Sequence, residues 1–338
     1  MVYKSIAQWW LNPSYLTPEL QLVIKSYHDD WLEEQIIDDG MLLHHYTTLE
    51  GMRSIIETRN LWCGHVSAFN DPSEIQYGKD LILDVLRQLK TKLEQRDLGV
   101  FLDGLITYIR AFGKTMYHPF AACFCESGNL LSQWRAYADR GGGYCLGLEF
   151  TPGTRIASDT ESLSEGNPPF IRKVIYDEKQ QRELVLAYIE SVVKAAEDVL
   201  AGGGTPAGLD KSTHLNMMAM QAVNPLFDML ITFKSSVFKE EQEWRLVRTT
   251  MEYHQADKIE FRESTGGLIP YRPTYIYNIE QSESPQFPLR SICFGPTLDP
   301  IQNRSAIELF LHNIATDDHP IKLIPSNVQI KVPGYSLR

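Results

Sequence analysis

The chain has 338 residues, 43% of them hydrophobic and 22% charged, with a formal net charge of −11. That length supports one large domain or two modest ones with a substantial core. The acidic balance argues against a general electrostatic grip on nucleic acid, and no apolar run approaches the roughly 18 residues that span a bilayer.

Residues 1–40 are aromatic and acidic and predict an N-terminal helical segment, with helices near 5–11 and 18–37. Met1 to Asn12 has no apolar h-region or small-residue cleavage site, so a secretion signal is not expected. Leu42–Tyr46 reads as a strand. Thr47-x-x-Glu50 has the form of a capping box, and Leu49, Met52, Ile55 and Ile56 follow at helical spacing to Arg59-Asn60. A second strand is expected over 61–66. Asn70-Asp71-Pro72 then predicts a turn into a helix, with Asp71 as the cap. Two helices are expected over 78–117.

Phe120–Cys125 is a short apolar run between Pro119 and Gly128, as in a buried strand. Helical spacing runs through Leu130, Leu131, Trp134 and Tyr137, Gly141-Gly142-Gly143 makes a turn, and 144–150 is a strand. Ser, Gly, Pro and Glu dominate 151–169, which predicts a surface loop. After a strand at 171–176, helices are expected over 177–200 and 213–231, broken by Gly202-Gly203-Gly204-Thr205-Pro206. Strand signals recur at 243–249, 258–262, 274–278, 290–294 and 320–332, with a helix near 301–313. The class is α+β: a mixed, mainly antiparallel sheet forming a single domain over 41–338, with helical insertions at about 78–117 and 177–231.

The five cysteines (Cys63, Cys123, Cys125, Cys145 and Cys293) are odd in number and match no disulfide framework, and Cys123-x-Cys125 is one residue short of metal or redox spacing. Reduced core thiols in a cytoplasmic protein are expected. No P-loop, Gly-x-Gly-x-x-Gly, Gly-x-Ser-x-Gly or His-Glu-x-x-His pattern occurs, and no metal is predicted.

Three stretches carry chemistry. His44 and His45 adjoin on one strand, so their rings point to opposite faces, Leu43 and His45 on one and Leu42, His44 and Tyr46 on the other. Glu241-x-Glu243 opens a strand and is expected to place both carboxylates on one face, with Lys234, Lys239 and Arg245 near enough to neutralise them or hold a phosphate. Trp134 and Tyr137 lie three apart on one helical face, as core residues or as a base-stacking shelf, while Arg135 points elsewhere.

Leu43-His44-His45-Tyr46-Thr47-Thr48-Leu49, Ser67-Ala68-Phe69-Asn70-Asp71-Pro72-x-Glu74, Cys123-Phe124-Cys125-Glu126 with Leu130-Leu131-Ser132-x-Trp134-x-x-Tyr137-Ala138, Gly143–Leu148, and Lys234 through Glu241-x-Glu243-Trp244-Arg245-Leu246 resemble a bacterial family known as domain of unknown function 2971, over about 42–310. That resemblance states no activity. At the level of fold, the strand–His-x-Thr–helix start is similar to that of ADP-ribosyltransferases, whose sheet is split.

This second resemblance implies NAD as substrate, with Glu243 as the catalytic glutamate, Glu241 assisting at the acceptor and His45 contacting NAD. Tyr46, Thr47, Arg53, Trp134, Arg135, Tyr137 and Arg245 would complete the binding set, an aromatic ring (Tyr137 or Trp134) holding nicotinamide and Arg53 or Arg135 meeting the pyrophosphate. It implies an NAD-dependent ADP-ribosyltransferase or NAD-consuming enzyme, with a protein, a nucleic acid or water as acceptor, acting in bacterial stress or phage defence. Two other classes fit the same residues: a non-catalytic nucleotide- or nucleic-acid-sensing module, and a nuclease-type hydrolase using His45 and Glu243 as acid and base.

Overall fold

A computed structural model describes residues 18–33, 40–69, 73–93, 96–112, 117–163, 170–201, 209–251, 259–264, 267–279 and 284–332. The helix expected at 5–11, the turn at 70–72 and residue 258 of an expected strand lie outside these residues. The chain divides into two compact units: residues 1–35, 69–118 and 175–238, and residues 36–68, 119–174 and 239–338.

The first unit is helical. It holds α1 (Pro18–Glu33), α3 (Ser73–Lys92), α4 (Arg96–Ala111), α6 (Glu178–Ala201), α7 (Lys211–Ala222) and α8 (Asn224–Thr232). On α6, Val185, Tyr188, Ile189, Val192, Ala196 and Val199 recur at helical spacing and are all buried. The helical stretch expected over 213–231 is two helices. Asp210 caps α7 by accepting from Thr213 N, and Pro225 sits in the first turn of α8, where its missing N–H costs nothing.

The second unit is the sheet, and its described strands are mostly antiparallel. They are β1 (Met41–Thr47), β2 (Asn60–His65), β3 (Tyr117–Cys125), β4 (Tyr144–Phe150), β5 (Thr154–Ala157), β6 (Ile171–Lys173), β7 (Glu243–Met251), β8 (Glu260–Ser264), β9 (Gly267–Asn278), β10 (Leu289–Phe294) and β11 (Gln329–Lys331). The order is β11-β10-β4-β1-β3-β2-β9-β5, with β7 on β3 and β6, and β8 on β9. Only β10–β11 is parallel among the registers described. A strand has two edges, and β3 has three partners (β1, β2 and β7), so the sheet forks there. β5, paired with β9 from Thr154↔Asn278 to Ala157↔Tyr275, lies within the stretch expected to be loop. Its pairing with a distant strand overrides a composition that favours turns.

One face of the sheet is an apolar core. Leu43, Phe124, Leu146, Leu148, Trp244, Leu246 and Ile292 pack there with Met52, Ile55 and Ile56 of α2 (Leu49–Thr58) and Ile307 and Leu311 of α9 (Pro300–Ile314). The start of α2 corrects the expected capping box by one residue. The cap is Thr48, whose side chain accepts from Gly51 N at 3.1 Å. Thr47 still belongs to β1, opposite Tyr144. The other face carries a smaller cluster of Tyr46, Cys125, Cys145 and Cys293 under Trp134 and Ala138, the tryptophan coming from α5 (Leu131–Tyr137).

Candidate functional site

Strand pairing lays out the second face as two rows. Gln329, Ser291, Gly147, His44 and Cys125 stand opposite one another across β11, β10, β4, β1 and β3. Lys331, Cys293, Cys145 and Tyr46 form the next row. At about 4.8 Å per strand, the first row runs about 19 Å. β7 extends it beyond β3: Glu126 N donates to Gln242 O at 3.2 Å, so the start of β7 lies beside the end of β3. Trp244 shares the apolar core with Phe124, so Glu243, one residue earlier, points to the face of Cys125 and His44.

This arrangement corrects the expected pairing of His45 with Glu243. His45 shares the core face with Leu43. Its ring lies 5.6 Å from that of Phe124, and Nδ1 donates to Cys123 O at 2.8 Å. His44, not His45, stands on the face of Glu243. Its Nδ1 donates to Glu126 O at 3.1 Å. A carbonyl only accepts, so both neutral rings carry the proton on Nδ1 and the lone pair on Nε2. Burial is the main cause holding both imidazoles below their ordinary pKa, and Lys331 adds a smaller lowering at His44.

Glu243, 4% exposed, is gripped by Arg245, 1% exposed. Nε donates to Oε1 at 2.7 Å and Nη2 to Oε2 at 2.9 Å, a charge-assisted fork between residues two apart on one strand. Glu241 is not on that strand. It ends the 3-10 turn Ser236–Glu241, and Gln242 follows with φ of 45°. Alternation of faces applies only to extended backbone, so Glu241 and Glu243 do not form the expected same-face pair.

The remaining predicted residues separate clearly. Trp134, 0% exposed, is enclosed edge-on against Tyr46 and offers no ring face for a stacked nicotinamide. Tyr46 is structural in its contacts: its hydroxyl donates to Ser127 O at 3.0 Å and accepts from Leu130 N at 2.8 Å, pinning the loop after β3. Thr47 alternates to the side of Leu43 and His45. Arg53 is exposed and paired with Glu57 one helical turn on. Arg135 is exposed on α5, and Tyr137 is half-buried beside the cysteine cluster.

Several contributors were not among the residues assigned to the site from sequence. On the core-face rim, Glu126 accepts from Lys173 at 2.6 Å and from the Trp244 indole at 3.0 Å. Burial opposes ionisation of Glu126, but these two partners outweigh it and hold the carboxyl below its usual range. Burial likewise pushes the Cys145 thiol well up and that of Cys293 to about 11, so both stay protonated at neutral pH. Gly147 marks a close approach: a Cβ there would come 2.3 Å from Ser291 Oγ, 3.3 Å from Leu42 Cδ1 and 3.5 Å from His44 Cδ2, so a side chain has no room. A glycine inside a strand is the available sequence sign of such a close approach. Among the described residues, no group of three or more His, Cys, Asp or Glu side chains is placed to hold a metal. Two open grooves, of about 410 and 450 Å³, lie in the helical unit, the first between α3 and α6 and the second between α4 and α7.

Residues 133–246 match a sequence-family model described as a protein of unknown function, DUF2971. That stretch is similar to the DUF2971 family. No curated protein and no solved structure matches the chain. The DUF2971 stretch contains Trp134, Gly147, Lys173, Glu243 and Arg245, and the row is completed from outside it by His44, Cys125 and Ser291. No helix among the described residues is long and apolar enough to cross a membrane.

Proposed function

We propose that this chain binds NAD on the sheet face carrying His44 and Glu243 and breaks its nicotinamide–ribose bond, passing ADP-ribose to an acceptor. The observation that carries the reading is the alignment of His44, Cys125 and Glu243 on one face of three adjacent strands, with Glu243 held by Arg245. The outer strands are about 10 Å apart, a span suited to one nucleoside unit. Loss of nicotinamide builds positive charge on the ribose, like the oxocarbenium state of glycoside hydrolysis. A rigidly held carboxylate accepting from the ribose 2′-hydroxyl stabilises that charge more than the neutral ground state. His44 replaces His45 as the orienting imidazole, its Nε2 lone pair accepting from a sugar hydroxyl. The acceptor is a protein side chain, a nucleic-acid base or water, and the role is that of a bacterial stress or phage-defence effector.

One observation favours a second reading. Both Glu243 oxygens already accept from Arg245, as suits a nucleotide-sensing module that binds without turnover. The nuclease reading loses its acid–base pair, because His45 and Glu243 face opposite ways.

The test is nicotinamide release from NAD by the purified chain beside Glu243→Gln, with thermal unfolding confirming that the variant is folded. Release that disappears in Glu243→Gln supports transfer chemistry. NAD that raises the melting temperature without release supports the sensor. Neither effect overturns both.

A further inference from the structure

Trp62 is 44% exposed on β2, although its chain neighbours Leu61 and Cys63 are buried in the apolar core. One side of its indole is stacked on Tyr271 of β9, with ring centroids 4.4 Å apart and planes at 26°. The Tyr271 hydroxyl donates to Glu260 Oε2 at 2.7 Å, which holds that ring from its far end. The indole N–H of Trp62 donates to no described residue. Two residues along β2, Gly64 has open space above it: a Cβ built there meets nothing within 4 Å. A single exposed aromatic is ordinary on a protein surface. A ring backed by an anchored partner, beside a floor that no side chain fills, is instead preorganised for a planar ligand.

The pleat places this platform on the face of the proposed chemistry. Gly64 stands opposite Ala121 of β3 and opposite Tyr271 of β9. Ala121 and Cys125 are four apart on β3, so Trp62, Gly64 and Tyr271 share the side of Cys125 and His44. From His44 to Gly64 the sheet runs about 10 Å across two strand spacings and about 13 Å along them. One nucleoside cannot touch both places, and a dinucleotide can. The net charge of −11 speaks against a nucleic-acid strand as the occupant.

We infer that Trp62, backed by Tyr271, is the stacking site for the adenine of NAD, the heterocycle lying on the open side of the indole beside Gly64. The nicotinamide ribose then stays between His44 and Glu243, at the other end of the ligand. The choice of adenine rests on the NAD reading; the stacking surface itself does not.

The experiment is calorimetric titration of the full chain with ADP-ribose, nicotinamide mononucleotide and a single-stranded oligonucleotide. Wild type is compared with Trp62→Ala, Trp62→Phe and Ile301→Ala, each confirmed as folded by thermal unfolding. Ile301, 80% exposed on α9, controls for loss of a surface apolar side chain. ADP-ribose binding should weaken about tenfold or more in Trp62→Ala. It should largely recover in Trp62→Phe and match wild type in Ile301→Ala, with nicotinamide mononucleotide indifferent to residue 62. ADP-ribose binding that is absent, or equal in Trp62→Ala and Ile301→Ala, overturns the site. So does a Trp62 dependence shared by nicotinamide mononucleotide, or oligonucleotide binding through Trp62 that is tighter than that of ADP-ribose. Nicotinamide release from NAD that persists in Trp62→Ala with unchanged KM overturns the site and keeps the NAD reading. Trp62-dependent ADP-ribose binding by a chain that releases no nicotinamide keeps the site and removes the proposed turnover.

Discussion

The two faces of the sheet are built from the same strands and do different work. On one, Leu43, Phe124, Leu148, Trp244 and Leu246 bury a continuous apolar core under α2 and α9. On the other, His44, Ser291 and three cysteines stand in rows, with Tyr46, Trp134 and Ala138 packed about the cysteines and Glu243 and Arg245 on the flanking β7. His44 and His45 have the same chemistry and similar hydrogen bonds to β3, yet the pleat assigns one ring to each face. Adjacent identical residues on a strand are therefore not interchangeable candidates: the partner across the sheet decides which one meets the chemistry.

The comparison breaks most visibly at the buried ion pair. Arg245→Met leaves the Glu243 carboxylate in a dry site without its fork, and should cost about 3–5 kcal/mol. The double variant with Glu243→Gln should recover part of that loss, as measured by urea unfolding. An Arg245→Met variant as stable as wild type would mean that the pair does not organise this face.

The core face should answer by cavity formation. Leu43→Ala, at a fully buried position, is expected to lose about 2–5 kcal/mol. If it stays folded, it should keep its response to NAD. Trp244→Phe retains the ring packing and removes only the indole donor to Glu126, so about 1 kcal/mol is expected in the same assay.

The smallest effect is one of pH. Both imidazoles have folded pKa values lowered beneath about 6.5, so their neutral form is the one stabilised by folding. Above that pH the contribution is fully present. As the pH falls below it, the unfolded chain takes up protons that the folded chain refuses, and stability declines toward the folded values. His45→Gln should flatten this decline in melting temperature between pH 7 and 5. An unchanged slope would show that His45 does not titrate as its burial requires.

Much of the sheet was legible because apolar runs at 42–46, 120–125 and 144–150 are short, bounded by turn residues and too brief for helices. β5 was hidden by its Ser- and Gly-rich surroundings, and only its pairing with β9 makes it a strand. Alternation correctly put His44 and His45 on opposite faces, but which face is core depends on long-range pairing with β3 and β7. The Glu-x-Glu reading failed for a local reason: Gln242 takes a left-handed φ that ends the 3-10 turn before the strand begins. Trp134 stood open between a core residue and a stacking shelf because helical spacing reports a shared side and not what covers it. Ser291 joins the row of His44, and Lys331 the next row, only through pairings with strands far away in the chain, and no spacing in one sequence reveals that.

The most direct test of the account is nicotinamide release from NAD by His44→Ala and His45→Ala, assayed side by side with their unfolding free energies. His44→Ala should lose release by about a hundredfold, the scale of a positioned catalytic imidazole, at little cost in stability. His45→Ala should lose stability and, at a temperature where it is folded, keep release near wild type. The reverse pattern, with release lost in His45→Ala and retained in His44→Ala, would contradict the assignment of the site to the face of Glu243.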